Sequence, residues 1–292
     1  MTYQSPASKF LSDHEVSSLE DVIEYTNFLL TSAGIDVKRP PIDLHRIYSH
    51  FNFPLPKETN FPNQQGATIF TGGAPQILIH EDDKTTRQRF TEAHELIETL
   101  FKELPGEIRL DRVKENIFGT KKERICQVGA ANLLMPKDSF YPKTQEMGIS
   151  FRTGERLASL YQVSLMASLF RLVDLYPNQV AVILWQLKNK KSELEKKVPD
   201  NQMSFFDERP PDLPPPNLRV KWAYGKYKNC YIPPDKSIPE DSSVYKSWET
   251  NKATRRTERI DFGSSERTAL LENKPVAIEE ERSVLSLVSE PT

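Results

Sequence analysis

The 292-residue chain carries 41 acidic and 39 basic residues, a formal net charge of −2, with 37% hydrophobic and 10% aromatic content. That balance excludes the broad basic footprint of a general nucleic-acid or anionic-membrane binder, and the length fits two domains with a sizeable buried core. Cys126 and Cys230 are too far apart in sequence to form a Cys-x-x-Cys knuckle and too few for a disulfide framework. The residues from Met1 to Phe10 hold no hydrophobic signal core, and the longest apolar run, Val180 to Trp185, is too short to span a bilayer. The expectation is a cytoplasmic protein with no membrane partner.

In chain order, Ser18-Leu19-Glu20-Asp21 offers a helix N-cap ahead of a helix-period apolar stripe at Val22, Ile23, Tyr25, Phe28 and Leu29, which predicts a helix from about Glu15 to Ala33, ended by Gly34. Pro40-Pro41 breaks the chain before a shorter helix carrying Leu44, Ile47 and Phe51. Ala67 to Phe70 and Gln76 to His80 flank Thr71-Gly72-Gly73-Ala74-Pro75 and read as a β-hairpin. A helix from about Lys84 to Lys102 follows, with Phe90, Ala93, Ile97, Leu100 and Phe101 as its buried stripe. A second helix over about Lys121 to Met135 is stopped by Pro136. Leu157, Leu160, Tyr161, Leu165, Leu169 and Leu172 suggest two short helices joined at Val163-Ser164, and Val180 to Trp185 a buried strand or helix end.

From Lys188 the composition turns to lysine and glutamate and then to Arg209-Pro210-Pro211-Asp212-Leu213-Pro214-Pro215-Pro216, a semi-rigid extended linker. Beyond it, residues 218–224, 258–262, 275–278 and 283–288 read as short strands of a small β-rich domain. The expected class is α+β. A helical domain with a small hairpin or sheet spans residues 15–187, including a helix-turn-helix-like part at about 153–175. A linker at 188–216 and a β-rich domain at 217–290 follow.

The densest chemistry lies in Arg89-Phe90-Thr91-Glu92-Ala93-His94-Glu95-Leu96-Ile97-Glu98. At about 3.6 residues per turn, His94 and Glu98 project from one helical face, the geometry a metal needs from a single helix, with Glu95 beside them where a general base would stand. On a helical wheel His94 and Glu98 fall at the edge of the apolar stripe and Glu95 just beyond it.

This stretch, followed by Ala130-Ala131-Asn132-Leu133-Leu134-Met135-Pro136 and then by Leu157-Ala158, Val163-Ser164 and Arg171-Leu172, resembles the ImmA/IrrE family of metallo-endopeptidases over about Leu19 to Leu175. The resemblance implies a zincin-like fold and cleavage of helix-turn-helix repressors in stress or mobile-element control. It makes His94 a metal ligand, Glu95 the base and Glu98 the second ligand, where the family usually has histidine. The family's third ligand is a carboxylate near the start of the second helix; here Ile125 precedes Cys126, which leaves Glu123 as the candidate.

The departure at Glu98 matters chemically. Two imidazoles and one carboxylate leave zinc with a net charge of about +1, whereas a His-Glu-Glu set is about neutral, a weaker Lewis acid that favours harder ions such as manganese. Two functions follow from the same residues. One is a metal-dependent endopeptidase using zinc or manganese on a repressor-type protein. The other is a catalytically inactive pseudopeptidase, with no metal, that binds such a protein as a regulatory module.

Other residues receive plainer readings. Cys126 is a small buried residue before it is a thiolate ligand, and His80 a surface histidine at a strand end. Arg87 and Arg89 pair structurally, with Glu92 in reach. Arg171 is the one basic group of the would-be recognition helix from Ser164 to Leu172, which makes direct nucleic-acid binding the weaker reading.

Overall fold

The structure is a computed structural model that describes residues 5–61, 65–69, 74–104, 122–190, 193, 215–263, 265–278 and 280–291. The chain divides into two compact units, Met1–Gly148 with Arg152–Arg171, and Ile149–Phe151 with Leu172–Thr292. Helices and strands make it α+β, as the sequence suggests. No helix among the described residues is long and apolar enough to cross a membrane. The Pro-rich segment lies outside the described residues up to position 214, as do Phe70 and the turn at 71–73.

In the first unit, α1 (Pro6–Leu11) precedes α2 (Leu19–Ser32), whose start is fixed by a reciprocal capping box. Ser18 accepts from the Asp21 amide, and Asp21 accepts from the Ser18 amide. Helix α3 (Leu44–Phe51) is capped by Asp43 and ends on left-handed Asn52. A three-stranded sheet follows, in the order β1-β3-β2: β1 (Lys57–Thr59) runs parallel to β3 (Gln76–His80), and β2 (Gly66–Ile69) antiparallel to it. The expected hairpin is therefore present, with Ile69 opposite Gln76, and β1 is an addition too short and polar to show a strand period.

The sheet packs on α4 (Thr85–Glu103), which packs in turn on α5 (Lys122–Leu134). Gly129 of α5 makes this contact close: a Cβ there would sit 2.8 Å from the Ile97 side chain and 3.2 Å from that of Val22. Helix α6 (Lys137–Met147) carries Pro142 in its interior and has no sequence-level helix signal. Then come α7 (Phe151–Tyr161) and α8 (Leu165–Leu175), the two short helices expected.

Arg171 is 4% exposed, and its guanidinium donates to the Met135 carbonyl at 3.0 Å and to Asn132 Oδ1 at 2.6 Å. Asn132 donates onward to the Thr26 hydroxyl at 2.5 Å. The one basic group of the supposed recognition helix is thus spent inside the fold, on the end of α5.

The second unit is a five-stranded antiparallel sheet in the order β5-β4-β8-β7-β6, built from β4 (Ala181–Lys188), β5 (Asn217–Gly225), β6 (Thr254–Asp261), β7 (Glu266–Ile278) and β8 (Glu281–Ser289). Its core gathers Ile183, Trp185, Val220, Leu271, Val284 and Val288 with Val244 of α9 (Ser243–Thr250), a helix the sequence did not announce. Strand β4 pairs with β5 and β8, so residues 181–187 belong to this sheet rather than to the domain expected to end at 187. A run buried on both faces reads as a strand without telling which sheet it joins.

Candidate metal centre

Helix α4 presents the cluster. His94, Glu95 and Glu98 each offer a ligand atom, and these atoms all lie within 4.8 Å of one another. Glu123, on the first turn of α5, reaches the cluster through His94: its Oε2 lies 3.5 Å from His94 Nε2, while its Oε1 accepts from Gln127 at 3.1 Å. Metal–ligand bonds of about 2.0–2.2 Å at a tetrahedral angle separate neighbouring donor atoms by about 3.3–3.6 Å. The His94–Glu123 spacing therefore fits one edge of such a site, and the donor set fits a divalent cation.

Glu95 departs from the helical-wheel expectation. It is 6% exposed, more buried than a residue beyond the apolar stripe should be, because β2 lies across it. Thr68 of β2 donates to Glu95 Oε2 at 2.6 Å. At Gly66 of the same strand an added Cβ would come 2.4 Å from Thr91 Cγ2 and 3.3 Å from Glu95 Oε1. Burial pushes the Glu95 carboxyl above its ordinary range, the Thr68 bond pulls against that, and the charge of Glu98 adds to the rise.

Glu98 is held by two ammonium groups. Lys122 Nζ lies 2.9 Å and Lys102 Nζ 3.4 Å from the same oxygen, Oε1. Burial pushes this carboxyl up, but the two lysines together outweigh it and hold Glu98 below the usual range. Lys102 also reaches the Thr68 carbonyl at 3.5 Å. Cys126, one turn from Glu123, is buried, and burial reinforced by Glu98 pushes its thiol up to about 12, the character of a packed S–H group.

Of the sequence-predicted residues, His94, Glu95 and Glu98 come together and Glu123 joins at His94. Thr68, Lys102 and Lys122 complete the surroundings and were not singled out in the sequence. Lys102 stands four residues after Glu98, a spacing that signals a helical pair, and Lys122 directly precedes Glu123. Nothing local marks Thr68. Arg87 pairs with Asp83 at 3.6 Å rather than with Glu92, Arg89 donates to the Ile42 carbonyl, and His80 Nδ1 accepts from the Asp82 amide at 3.2 Å.

Residues 31–173 match the family model of the IrrE N-terminal-like domain, with this cluster inside the matched span. Over that span the chain is similar to the IrrE N-terminal-like family. A curated relative, the radiation response metalloprotease IrrE of Deinococcus deserti, is 31% identical over 126 residues, which are 41% of this chain and 43% of the relative. The aligned region thus spans less than half the length of that protein. A solved Mycobacterium tuberculosis transcriptional regulator shares the fold at a TM-score of 0.57 and 9% identity, over 92% of this chain and 76% of its own. The IrrE-like domain is accordingly metallopeptidase-like, with Glu98 standing at the fifth position of its His-Glu-x-x-Glu stretch.

Proposed function

We propose that the chain is a metal-dependent endopeptidase that acts on a regulatory protein of the helix-turn-helix repressor type. His94, Glu98 and Glu123 hold the ion, and Glu95 is the general base. The observation that carries this reading is the His94–Glu123 approach at a ligand–ligand distance, with a buried, oriented Glu95 beside it. The stress setting rests on the name of the Deinococcus relative, a radiation response metalloprotease, and the regulatory target on the family resemblance. Zinc is the first choice of ion, and manganese the alternative a carboxylate-rich set favours.

A metal held by these residues supplies Lewis-acid polarisation of a peptide carbonyl and of water. The rest falls to the chain. Thr68 pins one oxygen of Glu95, which leaves the other to take a proton from the attacking water, and burial raises the affinity of that carboxylate for the proton. Strand β2 is an edge strand of its sheet among the described residues, so its outer backbone groups can pair with an extended polypeptide beside Glu95, a mode that suits a protein substrate.

The test is cleavage of a panel of purified helix-turn-helix repressors by the full chain, with and without a chelator, in wild type and Glu95→Gln. Loss of at least about 100-fold in rate in the variant is expected, with metal content retained. Cleavage unchanged by Glu95→Gln overturns the assignment. A second reading, a pseudopeptidase that binds such a protein without cutting it, draws on the two lysines that occupy Glu98. It predicts repressor binding that is indifferent to chelator.

A further inference from the structure

Glu98 brings an extra negative charge to a position where histidine brings none, and the structure surrounds that charge in a specific way. The ammonium groups of Lys102 on α4 and of Lys122 on α5 both approach Oε1, at 3.4 and 2.9 Å. The side chains of Lys102 and Lys122 are 27% and 44% exposed, so water screens each, and neither alone cancels a carboxylate. Two partly screened cations are what one carboxylate needs to be offset.

We infer that Lys102 and Lys122 are specificity-determining residues of the metal centre, neutralising Glu98 so that it acts in charge as the histidine it replaces. The inference rests on the metal-site reading above. It has a signed consequence. An outer partner that only orients a ligand weakens metal binding when it is lost, commonly by 10–100-fold. A cation beside a divalent ion repels it and competes for the ligand, so its loss tightens binding.

The experiment is a zinc titration of the full chain against a chelating indicator, with folding of each variant checked by thermal melting. Lys122→Met is expected to tighten zinc binding about tenfold, Lys102→Met less because its ammonium stands farther off, and the double variant most. Lys122→Gln should repeat the result of Lys122→Met, and Lys122→Arg, which keeps the charge, should match wild type. Unchanged or weaker binding in the methionine and glutamine variants overturns the inference.

The combination Glu98→His, Lys102→Met, Lys122→Met separates this failure from that of the metal reading. If it binds zinc while the lysine variants match wild type, the lysines have no such role and the metal centre stands. If this folded protein also fails to bind zinc, the metal reading falls and the inference with it.

Discussion

Two buried polar clusters in this molecule follow opposite rules. In the second unit, Trp185 Nε1 donates to the Ser286 hydroxyl at 2.8 Å, which donates to Asn273 Oδ1 at 2.5 Å. Asn273 Nδ2 donates to the hydroxyls of Ser243 and Thr254 at 2.9 and 3.0 Å, and these pass their protons to Glu258 and to the Ser243 carbonyl. Each donor meets an acceptor. On α4, by contrast, Glu92, Glu95 and Glu98 stack like charges along one side of a helix. The Tyr48 hydroxyl and Glu92 Oε1 lie close enough to feel each other yet complete no hydrogen bond of good geometry. A closed network fixes one sheet arrangement; unspent donor and acceptor capacity is what a ligand can use.

The contrast breaks most visibly at Asn273. Asn273→Ala strands several buried hydroxyls at once and is expected to cost about 3 kcal/mol in denaturant unfolding; a loss under about 1 kcal/mol would mean the network is dispensable. Gly66→Ala on β2 pushes a methyl into the β-branched Thr91, and about 2 kcal/mol of destabilisation should appear in the same assay, as for other overpacked sites.

Glu92→Gln should move the other way. Burial holds the Glu92 carboxyl above its ordinary range, so the folded state favours the protonated form. Its contribution is complete below the unfolded value and is lost as pH rises through the folded one. The variant should therefore stabilise by about 1 kcal/mol at neutral pH, an advantage that disappears in acid; stabilisation that persists in acid would remove the electrostatic cause. The smallest effect belongs to Lys102→Met, within about 0.5 kcal/mol of wild type, because the partly screened pair with Glu98 adds little to folding whatever it does for a metal.

The α4 helix was legible almost to the residue, Thr85–Glu103 against an expected Lys84–Lys102, because its apolar stripe is a local pattern. The same holds for β3 and α5, which Gly, Pro and periodicity delimit. What escaped was non-local. The burial of Glu95 comes from a strand 27 residues earlier in the chain, and the clamp on Glu98 from a lysine 24 residues later. Helical-wheel reasoning places side chains about one axis and says nothing of what is laid over them. Strand β4 shows the same limit: its apolar run declares burial, but pairing partners in β5 and β8 are chosen at long range. Polar α6 and short α9 form within a tertiary setting that their own sequences do not announce.

The order of the second sheet also governs when it can form. Strand β8, the latest of the five in chain order, occupies the middle, between β4 and β7. Until it emerges from the ribosome, β4 with β5 and β6 with β7 are two separate ribbons, each exposing an edge meant for the same missing strand. Folding of this unit therefore waits on its last strand, and a nascent chain stalled before residue 281 displays two open edges at which other chains can pair.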